Sequence, residues 1–295
     1  MKMIFLCSDL DRTLIPNGSE PETPFARPLL NRLVETQQIR LTYVSGRDKG
    51  LIQSAIIDYG LPQPAFVISD VGSMLYRVDG DEWTLIKTWH DQISRDWKGY
   101  KNEDIADLLD SVDNQGFELQ PQENQNTFKL SYFTESGDQG RTLKNTIAKI
   151  LEHNGIQANL IWSRDESENK GLLDILPHGA GKVSAIRFLM EQEKITELET
   201  VFAGDSGNDL DALTSGLQAV LVRNATEEVR REAVEIIENQ SSPSVLYQAE
   251  GVLLGLNGNY AAGVIEGLMH FYPNLNLWVR NEIEHYSSLD STPSS

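Results

Sequence analysis

The chain has 295 residues, 40% of them apolar and 8% aromatic, which suits about two globular domains with a sizeable core. With 25 Lys+Arg against 44 Asp+Glu the formal charge is −19, so the mean field disfavours nucleic-acid backbones and anionic membrane surfaces, and an anionic substrate needs positive charge placed locally by a metal or a lysine. The single cysteine, Cys7, excludes an internal disulfide and a Cys-rich zinc site; no apolar run approaches the roughly 18 residues of a membrane span, and Asp9 comes too early for a secretory signal, so a cytoplasmic protein is expected.

Short β-rich runs alternate with helical periodicity over residues 4–8, 29–36, 40–44, 49–59 and 65–69, the pattern of βαβ units and a mostly parallel sheet. Residues 74–78 and 83–87 flank Asp79-Gly80-Asp81 and predict a β-hairpin. From about residue 82 the layout becomes α+β, with a helix over 102–112, strands near 117–119 and 127–133, a helix over 143–153, and strands over 158–162 and 172–176. After Pro177 the alternation returns as helix 182–191, strand 200–203, helix 208–214, strand 219–222 and helix 227–235. An apolar helix rich in small residues follows at 260–271, and the Ser/Pro-rich stretch 287–295 is expected to fray. The expected organisation is a discontinuous core, residues 1–81 and 178–295, interrupted by an inserted domain at 82–177.

In an open parallel sheet, chemistry collects at the carboxyl ends of strands. Asp9-Leu10-Asp11-Arg12-Thr13 follows the first strand, and Ser45-Gly46-Arg47-Asp48 follows the second. Gly179-Ala180-Gly181 precedes the helix that starts at Lys182, and Gly204-Asp205-Ser206-Gly207-Asn208-Asp209 follows the strand at 200–203. If these strands are neighbours, Asp9, Asp11, Asp205 and Asp209 converge, and they repel one another unless a cation joins them. Oxygen ligands alone favour a hard cation, and few protein ligands with room for water favour Mg²⁺ over Ca²⁺. With the Ser45 hydroxyl and the Lys182 ammonium the set suits a transferring phosphoryl group. Each fragment alone reads as a turn, a helix cap or a solvated lysine; the weight lies in four occurring in order. Competing motifs fail: Leu176 and Val183 stand where a Walker A loop needs Gly and Ser or Thr, and the five histidines form no H-E-x-x-H.

These motifs, in this order, resemble the haloacid dehalogenase superfamily of phosphohydrolases, over nearly the whole chain. The resemblance implies an α/β fold with a Rossmann-like parallel-sheet core and an inserted α+β cap of the C2 type at residues 82–177. It implies Asp9 as nucleophile and Asp11 as general acid/base, with phosphate bound by Thr13, Ser45 and Lys182. Mg²⁺ would be held by Asp9, the main-chain carbonyl of Asp11 and Asp205, with Asn208 and Asp209 behind them.

Val71-Gly72-Ser73-Met74-Leu75-Tyr76, Lys129-Leu130-Ser131-Tyr132, Asp174-Ile175-Leu176-Pro177 and Ala261-Ala262-Gly263-Val264-Ile265-Glu266-Gly267 look, more narrowly, like sucrose-phosphate phosphatases. That resemblance implies a small sugar phosphate as substrate and a cap closing over it. Gly72, Ser73, Lys129 and Asp174 become candidate sugar contacts, with Arg47 and Asp48 beside the cleft. The faces of Tyr132 and Trp162 are further candidates, although each fits a core role better. The loop 163–171 is longer than the family pattern, and the chain runs on past Phe271. Three alternatives stay open: a phosphatase for another glycosyl phosphate (mannosylfructose phosphate, a glycosylglycerate phosphate), a non-hydrolytic mutase, which would also need Asp9, or a catalytically silent partner of a sugar-phosphate synthase. The complete set Asp9, Asp11, Ser45, Lys182 and Asp205 weighs against the silent partner.

Overall fold

The computed structural model describes residues 3–36, 38–109, 116–165, 170–240 and 245–290. In chain order the first strands are β1 (Ile4–Ser8), β2 (Ile39–Val44), β3 (Phe66–Ser69), β4 (Met74–Asp79), β5 (Glu82–Leu85) and β6 (Phe117–Leu119). They are followed by β7 (Leu130–Thr134), β8 (Ala158–Asp165), β9 (Lys170–Pro177), β10 (Thr200–Gly204), β11 (Gln218–Leu221) and β12 (Val245–Gln248). The helices are α1 (Ala26–Thr36), α2 (Lys49–Asp58), α3 (Lys87–Ile93), α4 (Asn102–Leu109) and α5 (Asp138–His153). The later ones are α6 (Lys182–Glu193), α7 (Leu210–Leu213), α8 (Glu227–Glu238), α9 (Ala261–Phe271) and α10 (Asn276–Asp290). Among the described residues no helix is long and apolar enough to cross a membrane.

The chain divides into two compact units, residues 1–43, 53–65 and 190–295 in the first and 44–52 and 66–189 in the second. In the first, five strands run parallel in the order β12-β11-β10-β1-β2. Every residue of β1 is buried, and its near-continuous apolar run is what a strand covered on both faces requires. Cys7 lies in this strand as a free thiol that burial pushes well above its ordinary range. Helix α1 turns Ala26, Leu29, Leu30 and Leu33 inward on one helical face.

Helix α9 is buried from Ala261 to Met269, and its small residues let it approach β11 closely: a Cβ at Gly267 would overlap the Val220 side chain. Its one acid, the fully buried Glu266, accepts the Tyr247 hydroxyl at 2.7 Å, the Glu250 N–H at 3.1 Å and the Gly251 N–H at 3.0 Å, clasping β12 and the turn after it. Helix α10 docks on α1 through a bidentate Arg32–Glu282 pair at 2.7 and 2.9 Å.

The second unit holds the antiparallel β3-β4-β5 and a four-stranded antiparallel sheet in the order β6-β7-β9-β8. Helix α5 turns Gly140, Leu143, Ile147 and Leu151 inward and lies along β8. Several elements differ from the sequence expectation. Helix α5 starts at Asp138, where an acid in the first turn complements the helix dipole. The expected loop 163–171 is largely paired, since Arg164 faces Gly171 and Asp165 faces Lys170; residues 166–169 lie outside the described residues. Helix α10 continues to Asp290, through part of the stretch expected to fray, while 291–295 lie outside the described residues, as do 110–112 of the helix expected over 102–112.

Candidate active site

Strands β1 and β10 pair in parallel with Ser8 opposite Ala203, and the Asp9 N–H donates to Ala203 O at 2.9 Å. Asp9 and Asp205 therefore leave the sheet side by side. With Asp209 they form a group of three buried carboxylates whose oxygens lie within 4.8 Å of one another. Local donors hold two of these carboxylates, Asp209 and Asp205. Asp209 Oδ2 accepts the N–H groups of Asp205 at 3.1 Å and Ser206 at 3.2 Å and the Ser206 hydroxyl at 3.2 Å, in a capping box that fixes the turn before α7. Thr13 Oγ1 donates to Asp205 Oδ1 at 3.2 Å, and Arg12 Nε lies 3.3 Å from Asp205 Oδ2. Arg12 reaches there because its backbone is left-handed, φ 57°, and its guanidinium also donates to Asn224 O at 3.0 Å. Hard oxygen donors without His or Cys, buried and convergent, fit a divalent cation such as Mg²⁺.

Asp11 is not one of the three. Thr13, Leu14 and Ile15 all donate N–H to Leu10 O, and the tight loop holds Asp11 against Asn17, whose Nδ2 donates to Asp11 Oδ1 at 2.7 Å. Asn208 accepts the Ser206 hydroxyl at 3.1 Å, on the same turn as Asp209.

The other site candidates belong to the second unit. Ser45 is buried at the end of β2, and its Oγ accepts the Arg47 N–H at 3.1 Å. Asp48 caps α2, accepting the Leu51 N–H at 2.9 Å. Lys182, also buried, opens α6. The turn before it is fixed by Asp96 Oδ2, which accepts the Gly179 N–H at 2.6 Å, and by Asn159 Nδ2, which donates to Ala180 O at 2.8 Å.

The sugar candidates form one polar network. Lys129 Nζ donates to Asn124 O at 2.9 Å and lies 3.9 Å from Asp70 Oδ1; both side chains are buried. Ser73 Oγ donates to Asp70 O at 3.0 Å and accepts Asn126 Nδ2 at 2.9 Å. Ser131, opposite Asp174 across β7 and β9, donates its hydroxyl to Asp174 Oδ1 at 2.5 Å. Burial raises the Asp70 carboxyl above its ordinary range, and Lys129 opposes the shift. Tyr132 is core, edge-on to Phe117 at 4.8 Å, and Trp162 donates to Thr134 Oγ1 at 3.0 Å beneath the Arg141 guanidinium. Sequence reasoning missed Arg12, Asp70 and Asn126. Asp70 directly follows the apolar run 66–69, so the strand-end rule that singled out Asp9 applies equally to it.

A family profile described as sucrose-6F-phosphate phosphohydrolase matches residues 2–272. A HAD-like hydrolase of Nitrosococcus oceani is 48% identical over 99% of this chain and 78% of its own length. The mannosylfructose-phosphate phosphatase of Agrobacterium fabrum is 29% identical over 85% of this chain and 94% of its own. Among solved structures, the sucrose-phosphatase of Synechocystis in complex with sucrose and phosphate aligns with a TM-score of 0.73 at 24% identity, covering 92% of this chain and 98% of that one, a likeness of fold. The match over most of the chain, on a parallel-sheet core whose strand ends carry the motif acids, settles the family: the chain belongs to the sucrose-6F-phosphate phosphohydrolase family of the haloacid dehalogenase superfamily and is a phosphoric monoester hydrolase.

Proposed function

We propose that the protein is a Mg²⁺-dependent sugar-phosphate phosphatase acting on sucrose 6F-phosphate through an aspartyl-phosphate on Asp9. The observation that carries this is the trio Asp9, Asp205 and Asp209, buried and convergent at the ends of two adjacent parallel strands in a member of this family. Asp9 and Asp205, with the main-chain carbonyl of Asp11, would hold Mg²⁺, Asn208 and Asp209 standing behind them, and the bound ion would offset the repulsion between the carboxylate nucleophile and a phosphate dianion.

The Asp9 carboxylate attacks phosphorus in line, forming the acyl-phosphate bond as the ester P–O bond breaks. A sugar alkoxide leaves poorly, so protonated Asp11 delivers its proton to that oxygen; Asp11 then takes a proton from the water that hydrolyses the acyl phosphate, freeing inorganic phosphate and restoring Asp9. Asn17, donating to Asp11 Oδ1, fixes the plane of the acid for both transfers. Thr13, Ser45 and Lys182 take the phosphate oxygens in this reading, and Thr13 also braces Asp205. Residues 82–177 act as the cap on a core of 1–81 and 178–295, and Gly72, Ser73, Lys129, Asp174, Arg47 and Asp48 read the sugar. A cytoplasmic location, with a sucrose-phosphate synthase supplying the ester, accompanies this assignment.

A second reading, mannosylfructose phosphate as the ester, is favoured by the 29% identity to that phosphatase along nearly all of its length. Phosphate release from a panel of sugar phosphates, with Mg²⁺ or with chelator, tests both. A Mg²⁺-dependent preference for sucrose 6F-phosphate supports the first; preference for mannosylfructose phosphate replaces it with the second; no release from any sugar phosphate ends both.

A further inference from the structure

The segment Asp70-Val71-Gly72-Ser73 departs from ordinary backbone behaviour. Three consecutive residues have left-handed φ, 53° at Asp70, 58° at Val71 and 98° at Gly72. For a β-branched residue such as Val71 this is a true outlier, and such strain persists only where the surroundings over-determine it. A turn with no other task would carry glycine or asparagine at that position.

The surroundings that hold it lie on three sides. Toward Ser45, the Ser45 N–H donates to Ile68 O at 2.8 Å, the Val71 N–H to Ser45 O at 3.0 Å and the Asp70 N–H to Arg47 O at 3.0 Å, with the Val71 side chain buried beside Gly46. Toward Lys182, Gly72 abuts Gly181, the residue just before Lys182, so closely that a Cβ on Gly72 would overlap the Gly181 backbone. Toward the candidate sugar contacts, Ser73 accepts Asn126 Nδ2 at 2.9 Å, Asp70 Oδ1 lies 3.9 Å from Lys129 Nζ, and the Gly72 carbonyl accepts Trp89 Nε1 at 3.1 Å.

We infer that this turn couples sugar recognition to phosphate alignment: contacts made by the sugar at Lys129 are passed on through Asp70 and through Asn126, whose backbone pairs with that of Lys129, to set the strained backbone, which in turn positions Ser45 and Lys182. The inference rests on the phosphatase reading above, and it makes Val71 and Asn126 positioning residues. Binding energy from the non-reacting sugar is then spent on orienting the reacting phosphate, so its loss appears in kcat rather than in KM.

The test compares wild type, Val71→Gly and Asn126→Ala, each confirmed as folded by thermal unfolding, on p-nitrophenyl phosphate and on sucrose 6F-phosphate, or mannosylfructose phosphate if the panel favours it. The expected result is a fall of about tenfold in kcat on the sugar phosphate with KM within about threefold, and kcat/KM on p-nitrophenyl phosphate within about twofold of wild type. Equal losses on both esters, or an unchanged kcat on the sugar phosphate, overturn the inference while leaving the phosphatase reading intact. Wild-type protein that cleaves p-nitrophenyl phosphate and no sugar phosphate overturns both. If Val71→Gly does not fold, Asn126→Ala decides alone.

Discussion

Replacing Asp209 by asparagine separates the cation-binding task proposed for the carboxylate trio from its structural one. The Asp209 side chain is fully buried and one of its oxygens accepts three donors, which an asparagine carbonyl oxygen can also accept, so the capping box survives. What changes is charge: each pair of carboxylates no more than 4.8 Å apart repels by about 3.5 kcal/mol at an effective dielectric near 20, and the Asp209→Asn substitution removes two such pairs. Losing one carboxylate from around a cation typically weakens it by at least about tenfold. Mg²⁺ at a hundred times its Kd stabilises the wild type by about 2.7 kcal/mol; after a tenfold loss the same concentration gives about 1.4 kcal/mol. At about 2 °C per kcal/mol, the Mg²⁺-induced rise in Tm shrinks from about 5 °C to about 3 °C or less. Thermal unfolding followed by circular dichroism, with Mg²⁺ and with chelator, reads both terms, and the chelated variant is expected to melt no lower than chelated wild type. An equal Mg²⁺ response in the two proteins, or a large drop in the chelated variant alone, would refute the reasoning by making Asp209 a purely structural acid.

Asp9→Asn is expected to cut phosphate release to less than about a thousandth of wild type while leaving Tm near its wild-type value. Glu266→Ala strands the Tyr247 hydroxyl and the N–H groups of Glu250 and Gly251, for a loss of about 3–5 kcal/mol seen as a fall of roughly 6–10 °C in Tm; Glu266→Gln, which keeps an acceptor oxygen, should lose less than half of that. Burial lowers the His90 imidazole below its ordinary value, so the unfolded chain binds the proton more readily and stability falls as pH drops from about 6.5 through the depressed native value. Between those limits His90→Gln should show a shallower dependence of Tm on pH, the two curves running parallel above pH about 7.

Much of the first unit was legible because its signals are local. A run such as Ile4-Phe5-Leu6-Cys7-Ser8 reads as a doubly covered strand, and the acids after it are conspicuous in a strand-end position. Helix α3 escaped because Trp89 and Ile93 alone give its apolar face, too few positions to declare a period. Helix α10 escaped because its polar sequence takes its place through partners distant along the chain, among them the Arg32–Glu282 pair and the stacking of Tyr286 on Phe25. Motif spacing led to Asp9, Asp205 and Asp209, yet neither the separation of Asp11 from them nor the bond from Thr13 to Asp205 can be read from spacing: both follow from the loop closing on Leu10 O. The left-handed run at Asp70 and Val71 had no sequence signal, since aspartate visits that region only occasionally and a β-branched valine argues against it.

Cys7 gives the molecule a built-in clock. It is the one sulfhydryl in the chain, wholly enclosed between β2 and β10, and its thiol is held protonated by burial, so an alkylating reagent reaches it only while β1 is detached from its neighbours. Two residues further on, just past the end of β1, stands Asp9. The pace of alkylation therefore counts how often the seat of the proposed nucleophile comes apart, and a cation tying Asp9 to Asp205 should slow that count without touching the cysteine itself.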